Sequence, residues 1–359
     1  MRPSEPEMAG DASETPAGTP AGPGRPTPPI ALAGDAAATT ARVEAAHVAV
    51  DDAVLARLRS VCAEVTVEAG ERAEASRDWW PLAMTWALDN QVGAQVAGVL
   101  RVCHEARVPV TPAAGRSGVV GGSVPLHGGV VLDLCGLDGI RAVDDTSLVL
   151  DVAAGTFGDR LEADLRRDHG LTVGHWPQSI ALSTVGGWLA CRGAGQLSNR
   201  YGKIEDMVLG LDVVLADGRT LTTGGHARQA VGPDLNQLFV GSEGTLGVIT
   251  GARLRVHPAP TAERRAAYGF GSFADGLDAC RRILRRGATP AALRLYDATE
   301  ADRSWSTGDT TVLLVLDEGD PVLVEAAMAV TAEECATADR LDDDLVGRWD
   351  AHRNDVSAL

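Results

Sequence analysis

Positive charge is in short supply in this sequence: 32 Lys and Arg stand against 49 Asp and Glu, for a net charge of −17. A field of that sign repels phosphate backbones and anionic bilayers, so nucleic acid and membrane surfaces are excluded as bulk partners. Any anionic ligand must be held by local groups. No apolar run reaches bilayer-spanning length, so stable membrane insertion is not expected. The opening MRPSEPEMAGDASETPAG lacks the basic-then-apolar order of a secretory signal. The six cysteines, Cys62, Cys103, Cys135, Cys191, Cys280 and Cys335, stand singly in apolar settings with no CxxC pair. That spacing excludes the common zinc and dithiol motifs and predicts reduced, buried thiols in a cytoplasmic protein. Two nucleotide signatures are also absent. No Gly-Lys-Ser/Thr completes a P-loop, and no GxGxxG joins a strand to a helix as in nicotinamide-binding folds.

Glycine is abundant, with 41 residues, and it is clustered. The stretch from His175 to Thr250 carries Gly186, Gly187, Gly193, Gly195 and Gly202, then Gly241, Gly244 and Gly247, among small hydroxylated residues. Backbone this permissive suits close approach of main-chain N–H groups to a ligand. A second wall lies upstream, where a strand around Val108–Val110 runs into a loop with Gly115, Gly118, Gly121 and Gly122. A glycine loop directly after a strand presents successive N–H groups to an anion. Together the two walls predict one large cofactor site.

The chain divides by composition into a Pro/Ala/Gly-rich disordered tail (1–45), a helical and aromatic segment (46–90), a cofactor domain (91–260) and a substrate or cap domain (261–359). Val54, Leu55, Leu58 and Cys62 predict one helix face, and Val96, Val99, Leu100 and Cys103 another. Trp79, Trp80 and Trp86 read as packing between helix and sheet, or as a cap on a ligand. A helix is expected from Thr156, with a capping box to Asp159, a stripe of Phe157, Leu161 and Leu165, and a stop at Gly170. A short helix is expected to start between Ser183 and Gly187, and VVLADGRTL is the strongest hairpin signal. After Arg265 the order is β-α-β-β-α, with Leu277, Cys280, Ile283 and Leu284 inward and Pro321 opening the last helix. That is most of a ferredoxin-like unit, which calls for one more strand than the acidic end provides.

These stretches resemble a known family. GHWPQS, STVGGW, Arg192–Gly195, YGKIED, GPDLNQLFVGSEGTLGVIT and the loop PAAGRSG are similar to FAD-binding oxidoreductases of the vanillyl-alcohol oxidase type. The GHWPQS–STVGGW combination resembles the alkyldihydroxyacetonephosphate synthase (alkylglycerone-phosphate synthase) branch. The likeness implies an α+β chain: a PCMH-type two-subdomain FAD-binding domain, then a partial ferredoxin-like cap. By the same resemblance, Pro112, Ala113, Ala114, Gly115, Arg116, Ser117 and Gly118 would form the pyrophosphate loop, with Gly121 and Gly122 beyond it. Gln178, Ser179, Ser183, Thr184 and Gly187 would run along the flavin ring and ribityl. Cys191, Arg192, Gly193 and Ala194 would lie over the phosphates or ring edge. Glu243, Gly244, Thr245, Leu246, Gly247, Val248 and Ile249 would hold the adenine side.

The resemblance implies non-covalent FAD, since no His or Cys stands at a familiar linking position. Arg116 occupies a place where relatives carry glycine. The Asn90–Gln95 junction reads as a deletion too short for the family's strand. The cap reads as C-terminally incomplete, without the Tyr, Arg and His that act on substrate in the synthases. His175 is the one histidine considered for catalysis, with a structural role equally open. His127, His169, His226 and His257 read as structural, and Glu205 and Asp206 as loop-stabilising carboxylates. The functions implied are hydride transfer or adduct chemistry at flavin N5 without a metal, in an oxidoreductase or a synthase-like enzyme. A 2-hydroxyacid dehydrogenase and a truncated, inactive homologue stand as alternatives. The expected partners are a small-molecule substrate and, in a homodimer, a second copy of the chain.

Overall fold

The computed structural model describes residues 48–68, 72, 91–94, 96–226 and 229–352. The N-terminal tail, Trp79, Trp80, Trp86 and both ends of the Asn90–Gln95 junction lie outside them. Asp51 caps α1 (Asp52–Val61), its carboxylate accepting the Val54 amide at 2.8 Å, and the helix buries Leu55 and Leu58. β1 (Glu64–Thr66), β2 (Gln91–Ala94), α2 (Val96–Ala106), β3 (Val110–Ala113) and β4 (Val130–Asp133) follow. The strands form a sheet in the order β1-β2-β4-β3, with β4 parallel to both β2 and β3. The junction expected to be too short for a strand therefore contains one, Gln91 and Val92 pairing with Val130 and Val131. Four residues suffice because β4 supplies the backbone partner.

The second layer is a five-stranded antiparallel sheet. Its elements are β5 (Ile140–Asp144), β6 (Val149–Ala153), α3 (Gly158–His169), β7 (Leu171–Thr172), α4 (Val185–Ala190), α5 (Ser198–Tyr201) and α6 (Ile204–Met207). β8 (Val208–Val214), β9 (Thr220–Gly224), α7 (Asn236–Phe239), β10 (Val248–Arg255) and β11 (His257–Pro258) complete it. The order is β5-β6-β10-β8-β9, so β10 is inserted between two strands that precede it in the chain. The Asp217–Gly218 hairpin joins β8 and β9 as expected. Leu150, Val152, Leu161, Leu165 and Leu254, each fully buried, form its core with α3.

The start of α3 differs from expectation. Thr156 is not its cap: the hydroxyl donates to Ala153 O at 2.8 Å and accepts from Gly139 N at 2.8 Å. Phe157 occupies the cap position without a side-chain bond and is half-buried. Packing sets the helix start instead, since a Cβ on Gly158 would lie 2.4 Å from the Trp188 ring. Gly170, at φ 63°, ends the helix as predicted.

The third layer contains β12 (Ala262–Phe270), α8 (Phe273–Arg285), β13 (Ala292–Tyr296), α9 (Ala298–Trp305), β14 (Thr311–Gly319), α10 (Pro321–Glu334), β15 (Asp339–Leu341) and α11 (Asp344–His352). β15 pairs with β12 over three residues and completes the strand order β13-β14-β12-β15 of a ferredoxin-like sheet. Alternation along β14 sends Leu313 and Val315 to the face under α8 and α10. Val312, Leu314 and Leu316 go to the face under α9 and α11, joined there by Leu197 of the second layer. Burial on both faces explains the unbroken apolar run of β14. On α8 the buried residues are Gly276, Ala279 and Ile283, whereas Leu277 and Leu284 are 55% and 42% exposed, against expectation. Small residues bring this helix close to the sheet: a Cβ on Gly276 would lie 2.6 Å from Leu295. No described helix is long and apolar enough to cross a membrane.

The cap sheet is fastened to the second layer by polar contacts. Arg200 of α5 bonds both oxygens of Asp317, at 2.6 and 2.7 Å from Nη2, and Asp317 is completely buried. Beside it Tyr201 donates to Glu318 at 2.8 Å, and Asn199 donates to Pro290 O at 2.7 Å. Removing one member of a buried ion pair costs about 3–5 kcal/mol, because the other charge is left uncompensated. Arg200→Ala is therefore expected to lower the urea midpoint more than the double change Arg200→Ala/Asp317→Asn. Equal losses in the two proteins would show that the pair is not the source.

Candidate functional site

Four stretches far apart in sequence meet where β3 and β10 approach each other. β3 carries Pro112 and Ala113 and gives way to the loop Ala114–Gly118. A Cβ on Gly115 would lie 2.1 Å from Leu182 O, so only glycine lets this loop touch the second one. A Cβ on Gly122 would fall 2.9 Å from the Glu243 carboxylate, and one on Gly244 would fall 2.5 Å from Pro112. Glu243 N donates to Ala190 O at 3.1 Å, and Gly241 N to Leu189 O at 2.9 Å, which ties the last stretch to α4. The first, second and fourth stretches thus enclose one region, with Cys191–Ala194 at the C-terminal end of α4.

Within this region some side chains are already engaged. Arg116, at φ 51°, is buried and pairs with Asp133 at the end of β4 at 2.6 Å. Its left-handed backbone is the conformation glycine adopts freely. Ser183 donates to Ser179 O at 2.8 Å and accepts from Trp188 Nε1 at 2.7 Å. Thr184 caps α4 by accepting from Gly187 N at 3.3 Å. Thr245 donates to Ser242 O, and Leu246 is 47% exposed. Gly247 leads into Val248 and Ile249, both buried at the start of β10.

Other groups are free for a ligand. The N–H groups of Gly115, Ser117 and Gly118 make no hydrogen bond among the described residues, and a Cβ on Gly118 would meet nothing within 4 Å. Arg192 donates to the neutral Gln237 side chain at 3.1 Å and pairs with no carboxylate among the described residues. Unpaired amides in the first loop, and in the third stretch a guanidinium without a carboxylate ion pair, are donors of the kind that suits a pyrophosphate. A cavity of about 910 Å³ lies between Val110 and Pro112 of β3 and Gly244, Thr245, Gly247 and Val248, with His104 of α2 and Arg107, just past its end, at the border. These features fit FAD. Cys191 is exposed rather than buried, a departure from the expected thiols, and partial burial followed by the Glu243 carboxylate raises its thiol above the ordinary value. A thiol so held is a poor nucleophile.

His175 lies beneath this surface. It is fully buried, its ring centroid 4.7 Å from that of Trp188, and neither ring nitrogen has a hydrogen-bond partner among the described residues. A Cβ on Gly193 would lie 3.6 Å from its Nε2, so the ring supports the Cys191–Ala194 loop from below. Burial, opposed by the Glu205 charge, pushes the imidazole down to about 4. It is neutral at physiological pH and a weak base. Asp206 accepts from Lys203 N, and Glu205 pairs with Lys203, both in the loop-stabilising roles expected.

A second cavity, of about 470 Å³, opens between the cofactor region and the cap. Gln178 and Gln196 line one side; Arg294 and Tyr296 of β13 line the other, flanked by Trp305 of α9 and Trp349 of α11. The sequence reading missed the cap residues. Arg294 is the one detectable signal, a cation inside the apolar strand AALRLY. Among the described residues no group of three His, Cys, Asp or Glu could hold a metal ion.

The buried histidine generates a pH prediction. Unfolded, its imidazole takes a proton near 6.5; folded, near about 4. Between those values only the unfolded chain holds the proton, so acidification favours unfolding. This contribution is intact above about 6.5 and is lost at up to about 1.4 kcal/mol per pH unit as pH falls toward 4. Urea midpoints recorded from pH 7 to pH 4.5 should fall less steeply in His175→Gln than in the parent. Parallel slopes would show that another group dominates.

Residues 91–224 match the FAD binding domain family. The uncharacterized FAD-linked oxidoreductase YgcU of Escherichia coli (strain K12) is 33% identical over 263 residues, 71% of this chain and 54% of that protein. Alkyldihydroxyacetonephosphate synthase of Caenorhabditis elegans is 37% identical over 168 residues, 47% of this chain and 28% of that protein. The chain thus spans about half, or less, of the length of these relatives. A solved structure of alkyldihydroxyacetonephosphate synthase superposes with a TM-score of 0.75 at 22% identity, covering 88% of this chain and 65% of that one. At that identity the superposition speaks for the fold. The glycine walls, the matched domain and the shared architecture agree: this chain carries a PCMH-type FAD-binding domain and has FAD as its cofactor.

Proposed function

We propose that the chain binds FAD non-covalently between its first two layers and acts on a small molecule in the cavity beneath the cap. The observation that carries this reading is the position of Gln178. It belongs to the second glycine-rich stretch and also lines the 470 Å³ cavity whose opposite wall is the cap strand β13. A cofactor along that stretch would border the cavity. Bound FAD supplies a two-electron redox centre. The chain holds the phosphates with the Gly115–Gly118 amides and Arg192, fixes the loops with the Arg116–Asp133 pair, and excludes water with the cap. His175, buried and neutral, serves as a support for the Arg192 loop and not as the general base. The stretch shared with the synthase supports a place on that branch, and the full activity of such an enzyme is part of the proposal.

Two measurements test this reading. The purified chain should keep a visible flavin band through gel filtration. Acid precipitation should release all of it to the supernatant; colour remaining in the pellet would overturn the non-covalent reading, and a colourless protein the whole one. In addition, Gly118→Ala should leave the melting temperature unchanged, because its methyl enters open space, while weakening FAD binding about tenfold or more by blocking close approach. Gly115→Ala should lose both, since its methyl collides with the Leu182 backbone. Unchanged FAD affinity in Gly118→Ala would remove this loop from the cofactor site.

A further inference from the structure

Arg294 is an unusual arginine in this fold. It is half-buried on β13, and its guanidinium donates to the neutral side chain of Gln196, with no carboxylate within ion-pair distance among the described residues. Other half-buried arginines have such partners: Arg166 has Glu162, Arg200 has Asp317, Arg253 has Asp212 and Arg265 has Asp350. Acids are not scarce in a chain with 49 of them. A desolvated cation without a counter-charge is costly, and retaining one is understandable where a ligand brings the charge.

The surroundings point the same way. Glu300, the carboxylate on the cavity lining, is engaged by Arg303 at 3.2 Å. A second cation, Arg348 of α11, stands on the same lining and uses only its Nε toward Asp344, at 3.3 Å. His352 lies one turn further along α11 and also borders the cavity, its Nδ1 donating to Arg348 O at 2.8 Å. The remaining wall is aromatic: Tyr296 and Trp305 meet edge to face at 5.0 Å, and Trp349 is buried beside them. A volume near 470 Å³ is in the range of small-molecule sites. α9 lies between β13 and β14 and α11 follows β15, so both are additions to the βαββαβ ferredoxin-like core that build this wall.

We propose that the cavity selects a small organic acid, its anionic group read by Arg294 and Arg348 and its apolar body lying against Tyr296, Trp305 and Trp349. This rests on the reading of the cavity as the substrate site. The FAD-loaded protein is titrated with phenylacetate and, separately, with phenylacetamide, following tryptophan fluorescence and the flavin absorption band together. Phenylacetate is expected to saturate both signals, with the amide at least tenfold weaker. Arg294→Gln, which can still bond Gln196, should weaken phenylacetate by about tenfold to a hundredfold, as expected for a lost charged hydrogen bond. Arg294→Lys should recover part of the loss, and both variants should retain flavin. Equal affinity for acid and amide, no saturable binding of either, or an unaffected flavin-retaining Arg294→Gln protein would overturn the inference. Acid-selective binding that changes tryptophan fluorescence but leaves the flavin band untouched would support the ligand class and remove the cavity from the substrate site. A flavin response shared equally by acid and amide would do the reverse.

Discussion

The contact between Arg200 and the buried Asp317 determines where the cap sits, and the 470 Å³ cavity beneath it is defined by where the cap sits. Asp317 also accepts the Ala291 amide, so one carboxylate fixes both the helix-borne arginine and the entry to β13. Arg294 and Tyr296 follow within a few residues on that strand. Arg200 in turn stands on α5, close behind the Cys191–Ala194 loop, and Gly195 N bonds the Ser198 hydroxyl at 2.8 Å. A short, rigid path therefore runs from the cofactor loop to the cap. Burying an ion pair is an expensive way to gain stability, but an effective way to specify one register between two surfaces.

The same economy appears in the handling of charge. The chain is strongly acidic, yet two of its arginines, Arg192 in the third glycine-rich stretch and Arg294 on the cap cavity, form no ion pair with a carboxylate among the described residues. At the half-buried Arg294, partial removal of water strengthens its attraction for an anion. Elsewhere arginines are spent on pairs that hold elements together, as with Arg116 and Asp133 under the first glycine loop.

The glycine walls were legible in the sequence because close backbone approach leaves a compositional mark that does not depend on the rest of the fold. The hairpin at Asp217–Gly218 and the end of α3 at Gly170 were legible for the same reason. β15 was not: its three residues, Asp339–Leu341, are mostly polar and become a strand only because β12 offers an edge. β2 in the shortened junction depends likewise on β4. The inward face of α8 was misread because glycine and alanine, which carry little hydrophobic signal, make its close contact, while Leu277 and Leu284 remain outside. The charge of Arg294 was visible, but its lack of a partner exists only in three dimensions.

The insertion of β10 between β6 and β8 has a consequence for the order in which the molecule can assemble. During synthesis, the β5–β6 pair and the β8–β9 hairpin emerge first and cannot bond to each other, because the place between them belongs to a strand not yet made. Only when Arg255 has left the ribosome can the sheet close. The turn at Glu243–Gly247, which immediately precedes β10, is drawn into place in the same event. The first two layers therefore acquire their cofactor region late and at one stroke, through long-range pairing of the kind that folds slowly.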